Sequence, residues 1–210
     1  MFVNGLRNGI VVMGGSFNPL AIAHPKLTLA AVDGLELLIG REQDHEWHPE
    51  GGACVHVGHA LDCIAQHRTG DEDDLIVGLA VLCHDLGKPM TTKFEGERMR
   101  ILGHEEAGLA PTLSFLRRIT NKERILRDVP PLIEKHMQPF SMWKQRAGDA
   151  AIRRLEMKVG RIDRLLRVAH ADDEGRPPEM EGARPAAKTS SGWRKRRIVC
   201  ASPTKRRSRS

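Results

Sequence analysis

From residue 53 to residue 172, apolar residues recur at the three- and four-residue spacing of an α-helix, segment after segment, and no stretch alternates apolar with polar as a half-buried strand does. "ACVHVGHALDCIAQH" (53–67) places Val57, Ala60, Leu61 and Ile64 on one side. "DEDDLIVGLAVLCHDLG" (71–87) opens on acids that suit the positive end of a helix and stops at Gly87, with Pro89 just beyond. "HEEAGLAPTLSFLRRI" (104–119) reads as a third helix, and residues 121–136 as a helix interrupted at Pro130–Pro131. "GDAAIRRLEMKV" (148–159) and "RIDRLLRVAHAD" (161–172) complete the set. The expected fold class is all-α, a helical bundle over residues 41–178. Before it, "GIVVMGGSFNP" runs from a strand into a turn and "HPKLTLAAVDGLELL" reads as a helix, so residues 1–40 form a short β-α appendage. After it, Pro, Gly, Ser and Ala replace all periodicity, and residues 179–210 are expected to be disordered.

A chain of 210 residues suits one main domain with appendages. No apolar run approaches the ~20 residues needed to span a bilayer, and the N-terminus carries no clear cleavage site, so neither a membrane span nor a signal peptide is expected. The four cysteines form no C-x-x-C pair, which fits reduced thiols in a cytoplasmic protein. The net charge of +6 is uneven. Residues 188–210 hold nine Lys or Arg and no acid, which leaves the remainder mildly acidic. The basic character therefore belongs to the tail, where RNA contact by counterion release is one reading and a solvated, unselected tail the other.

The run "GLAVLCHDLGKP" (78–89) ends a core-like helix in two ionisable neighbours, His84 and Asp85. Neither can be buried unpaired without a large cost. A divalent cation such as Mg²⁺, Mn²⁺, Fe²⁺, Co²⁺ or Ni²⁺ accepts both an imidazole nitrogen and a carboxylate oxygen. Further ligands can come from His56 on the preceding helix and Asp172 on the last, since helical bundles hold metals with inward-facing residues of separate helices.

His56, His84-Asp85 and Asp172 on successive helices resemble the HD-domain metal-dependent phosphohydrolases. "DHEWHPEGGACVHVGHALD" (44–62), "LAVLCHDLGKP" (79–89), "GHEEAG" (103–108), "PLIEKHMQP" (131–139) and "AHADDEGRPP" (169–178) together are similar to the HD domain of bacterial tRNA nucleotidyltransferases, the CCA-adding enzymes. The resemblance implies that His56, His84, Asp85 and Asp172 bind a divalent metal, with Asp173 the rival to Asp172. It implies a phosphate-binding role for Lys88. His104 and His136 then either complete a second metal or phosphate site or support the first. Asp85, Lys88 and His104 are the expected catalytic residues. Glu105 or Glu106 orients water or a histidine, His59 lies near His56, and Trp47 and His48 pack. His45, His67 and His170 are set aside as non-ligands.

A divalent ion on such ligands activates water and polarises a phosphoryl oxygen, so no Ser or Cys nucleophile is required, and no G-x-S-x-G is present. The implied activity is a phosphohydrolase acting on nucleotide or RNA 3′-end phosphates, either 2′,3′-cyclic phosphodiesters or phosphomonoesters. One alternative is a non-catalytic HD module that contacts RNA or dimerises, and a second is a nicotinate-nucleotide adenylyltransferase-like protein. The glycine-rich loop and aspartate pair of a CCA-adding head are missing, so CCA addition is not expected. Residues 11–35 instead resemble the opening of nicotinate-nucleotide adenylyltransferases, but "AIAH" stands where H-x-G-H belongs, with Ala21 and Ala23 in place of histidine and glycine. About 40 residues are also too few for that parallel sheet. Residues 1–40 are therefore expected to be a truncated nucleotidyltransferase-like segment without an ATP site.

Overall fold

The computed structural model describes residues 51–95 and 98–176, together with Glu36, Leu38, Ile39 and Gln43. The β-α appendage expected within residues 1–40, apart from the three residues named, and the basic tail of 179–210 lie outside them.

The described residues are all-α but for one small hairpin. In chain order they form α1 (Ala53–Gln66), α2 (Asp73–Cys83), α3 (Lys88–Thr91), β1 (Thr92–Glu95), β2 (Arg98–Ile101), α4 (His104–Ala107), α5 (Leu109–Ile119), α6 (Glu123–Glu134), α7 (Gln138–Lys144), α8 (Asp149–Val159) and α9 (Ile162–Glu174). Ile76, Val77, Leu79, Ala80, Val81 and Cys83 of α2 are all buried. A helix apolar on every side must be enclosed, and α2 is enclosed by α1, α6 and α9. Leu61 and Ile64 of α1, Leu132 and Ile133 of α6, and Leu165 and Val168 of α9 join it in one core. Phe115 and Leu116 extend that core through α5, which packs on α6.

Three local expectations are corrected. Pro130 and Pro131 do not interrupt their helix; both lie inside α6. Each removes a helical hydrogen bond, yet Ile125, Val129, Leu132 and Ile133 stay on one buried face, and that packing outweighs the ~3 kcal/mol a proline costs in a helix interior. The segment 104–119 is two helices, α4 and α5, divided at Gly108. Pro111 cannot donate to the carbonyl of Ala107, so the chain restarts with the proline in a new first turn, where a missing N–H costs nothing. Thr92–Glu95 and Arg98–Ile101, where no strand is expected, form an antiparallel pair with Thr92 opposite Ile101 and Glu95 opposite Arg98.

The acids that open α2 do more than complement a helix end. Oδ1 of Asp73 accepts from Arg164 at 2.5 Å and from Arg124 at 3.2 Å, and its Oδ2 is 3.0 Å from Arg161. Arg164 also reaches Oδ2 of Asp128 at 2.8 Å. One buried guanidinium thus ties α9 to α2 and α6. Among the described residues no helix is long and apolar enough to cross a membrane.

Candidate metal centre

The turn that follows α2 sets the site. Leu86 N–H donates to the carbonyl of Cys83 at 3.1 Å, and Lys88 N–H to that of Asp85 at 2.9 Å. These bonds turn the chain sharply where the apolar run stops, and they carry His84 and Asp85 into the bundle. Gly87 permits the turn to close. A Cβ there would lie 1.9 Å from the carbonyl oxygen of His104 and 2.6 Å from the amide of Gly108. Any side chain would therefore push α4, and His104 with it, off the turn.

Around that turn α1, α4, α9 and the end of α6 deliver the other groups. His56 Nε2 is 2.9 Å from Asp172 Oδ1. His84 Nε2 is 3.4 Å from Asp85 Oδ2 and 3.8 Å from Asp172 Oδ1. On the other side of Asp85, His104 Nε2 is 3.8 Å from its Oδ1 and 3.3 Å from His136 Nε2. Two sets of possible ligands result, His56–His84–Asp85 and Asp85–His104–His136, each with its donor atoms within 4.8 Å of one another. Asp85 is common to both. None of these six side chains belongs to a residue more than 7% exposed, so the cluster is an interior feature and not a solvated face.

The donor set fits a divalent cation. His84 Nδ1–H donates to the carbonyl of Val81, and His136 Nδ1–H to that of Ile133, each at 2.7 Å. Anchoring Nδ1 on a backbone carbonyl leaves Nε2 with its lone pair directed into the cluster, which is how metal-binding histidines are oriented. Nε2 of His84 and Oδ2 of Asp172 are buried and make no hydrogen bond among the described residues. Buried polar atoms seldom remain so without a partner.

Charge runs the same way. Burial lowers the proton affinity of His84, with Asp85 and Asp172 acting against it. Burial likewise lowers His136 and His104. Burial thus favours the neutral imidazole in all three. Burial pushes the Asp85 carboxyl up, but His84 and the Lys88 ammonium outweigh it and hold it below its ordinary range. Burial also opposes ionisation of Asp172, and the hydrogen bond to His56 with the charge of Arg176 overcomes it. Neutral imidazoles facing ionised carboxylates are the protonation states a cation requires.

His56, His84, Asp85, Asp172, His104, His136 and Lys88 are therefore all brought together, and it is Asp172 that faces His56. Glu105 stands beside His104, 3.5 Å from its Nδ1, while Glu106 is exposed. Lys88, for which a phosphate-binding role is expected, stands at the edge of the same cluster. It is buried, its Nζ is 2.7 Å from Asp85 Oδ2, and it donates to Oε1 of Gln43. Gln43 is the residue that sequence reading missed. It is buried and belongs to no motif, and only its contact with Lys88 identifies it.

No protein-family model matches the chain. Curated relatives do. A multifunctional CCA protein of Laribacter hongkongensis is 31% identical over 157 residues, covering 72% of this chain and 37% of that protein. The multifunctional CCA protein of Xanthomonas campestris pv. campestris is 29% identical over 162 residues, covering 74% and 38%. That of Xylella fastidiosa is 32% identical over 105 residues, covering 48% and 24%. The chain thus spans little more than a third of the length of the first two relatives. Over nearly three quarters of its own length, the chain is similar to multifunctional CCA proteins, the resemblance its histidine and aspartate motifs carry.

Proposed function

We propose that residues 41–178 are an HD-type, metal-dependent phosphohydrolase domain acting on nucleotide or RNA-terminal phosphates. The observation that carries the reading is the buried cluster of four histidines and two aspartates in which Asp85 is shared by two donor sets. His56, His84, Asp85 and Asp172 would hold one cation, and Asp85, His104 and His136 a second ion or a phosphate. A divalent cation there supplies an activated water and a Lewis acid for the phosphoryl oxygen. The Val81 and Ile133 carbonyls keep His84 and His136 oriented without reorganisation. The Lys88 ammonium, held by Asp85 and Gln43, supplies positive charge for the phosphate as negative charge grows on it. His104, the most accessible histidine of the cluster at 7%, would be the first of them to meet the entering phosphate.

The name shared by the relatives directs the choice of substrate to RNA 3′ ends. The test is hydrolysis of bis-p-nitrophenyl phosphate, 2′,3′-cyclic AMP and a 3′-phosphorylated RNA, with Mg²⁺, Mn²⁺, Co²⁺ and Ni²⁺ in turn. Metal-dependent turnover of at least one is expected. A protein that binds no metal and hydrolyses none of them would instead be a non-catalytic RNA-contacting or dimerising module.

A further inference from the structure

A second cluster of metal-ligating side chains lies away from this centre. Cys63 and His67 stand one turn apart at the end of α1, and His170 approaches them from α9. One donor atom on each lies within 4.8 Å of those on the other two. The sequence reading treats these residues as a plain thiol and two non-ligand histidines, because nothing local links positions 63 and 67 to position 170. The packing of α9 on α1 brings them together.

The geometry is close to that of a coordination sphere. Sγ of Cys63 is 3.7 Å from Nδ1 of His67. Bonds of ~2.3 Å to sulfur and ~2.0–2.1 Å to nitrogen at tetrahedral angles separate the two donors by about 3.6 Å. The rings of His67 and His170 meet edge to face, with centroids 5.1 Å apart. His67 Nδ1 also lies 2.8 Å from the carbonyl of Cys63. Ligation through Nδ1 exchanges that hydrogen bond for a coordinate bond and moves the ring proton to Nε2, which an exposed histidine can hydrate. Cys63 is buried and His67 exposed, so the site has a floor and an entrance.

We propose that Cys63, His67 and His170 form a thiolate–imidazole site for Zn²⁺, which clasps the end of α1 to α9. One sulfur and two nitrogens are the donors of a borderline-soft cation, not of Mg²⁺ or Ca²⁺. On binding, the Cys63 thiol loses its proton to solvent and the thiolate takes the metal. Glu174, whose Oε1 is 4.0 Å from His170 Nδ1, or a water fills the fourth position. The clasp joins the two helices that carry His56 and Asp172. Its existence does not depend on the hydrolase reading, since sulfur distinguishes it from the candidate centre.

Cobalt titration of the full-length protein tests it. Co²⁺ bound by a thiolate gives a sulfur-to-metal charge-transfer band in the near ultraviolet, and Co²⁺ bound only by His and Asp does not. The wild type is expected to show the band and to yield it to Zn²⁺. Cys63→Ser should abolish it, and His84→Ala should retain it. His67→Ala, a change at an exposed position, should weaken the band's cobalt affinity by more than the ~10–100-fold that loss of an outer-sphere partner produces, with the helical circular dichroism unchanged. Absence of the band in the wild type at saturating Co²⁺, its survival in Cys63→Ser, or unaltered affinity in His67→Ala would each overturn the proposal.

Discussion

Nε2 of His56 lies 2.9 Å from Oδ1 of Asp172 across 116 residues of chain. That separation suits a hydrogen bond, and it also suits two adjacent ligands on one cation. The pair joins α1 to α9, and the bundle must close before the two can meet. The candidate centre is therefore a product of the whole fold and not of any one motif.

Among the described glycines, Gly87 leaves the least room for a side chain. Gly87→Ala places a methyl group 1.9 Å from the His104 carbonyl. Since the obstacle is backbone, α4 must shift. We expect a loss of roughly 2–3 kcal/mol or more and a fall in hydrolysis larger than stability alone explains. Thermal melts and turnover measured on the same preparation check this.

Buried and exposed arginines on the same carboxylate should behave differently. Arg164→Ala leaves Asp73 and Asp128 without their buried partner and should cost about 3–5 kcal/mol. Arg124, whose side chain is 44% exposed, also touches Asp73, but Arg124→Ala should cost about 0–1 kcal/mol. Urea unfolding of the two variants provides the comparison.

Much of the helical plan is legible in the sequence, because amphipathic spacing and end signals are local. Val57, Ala60, Leu61 and Ile64 are buried together as their spacing requires. What escapes is decided at a distance. The arginines around Asp73 come from α6, from α9 and from the residue just before α9, so a first-turn acid reads only as a dipole partner. The prolines of α6 are overruled by the burial of Val129 and Leu132 on either side of them. The hairpin is short, and none of its residues with described side chains is buried, with Phe94 exposed, so the brief alternation of Arg98, Met99, Arg100 and Ile101 is too short to announce it. At the centre, the His-Asp dipeptide marks the site plainly. The clamp on Lys88 by Gln43 is invisible, because a single glutamine outside any motif carries no signal.

Acid should loosen the junction of α2 and α9. Burial acts to raise Asp74, but Arg167 and the N–H groups of Thr69 and Gly70 outweigh it and lower the carboxyl from 3.8 to about 2. A carboxyl lowered by folding contributes stability in full above its unfolded value, and that contribution is lost as pH falls from about 4 through about 2. Roughly 2 kcal/mol should disappear over that window. In Asp74→Asn the contribution is absent at every pH, so the acid slope of the unfolding free energy should flatten. Denaturant titrations between pH 2 and 5 measure it.

Lys88 should separate substrate handling from metal binding. Lys88→Met removes the cation that shares Asp85, so metal affinity should hold or rise while hydrolysis falls by about tenfold or more. Loss of bound metal in this variant would show that the lysine supports the centre itself.

The most direct measurement is metal stoichiometry by plasma mass spectrometry beside hydrolysis rates for Asp85→Ala and His84→Ala, both made in a Cys63→Ser background so that thiolate-bound metal does not contribute. Asp85 is common to both donor sets, so Asp85→Ala should lose the bound divalent ion and all hydrolysis, and His84→Ala should do the same, each with helical circular dichroism preserved. Full metal occupancy and near-normal turnover in Asp85→Ala would contradict the account.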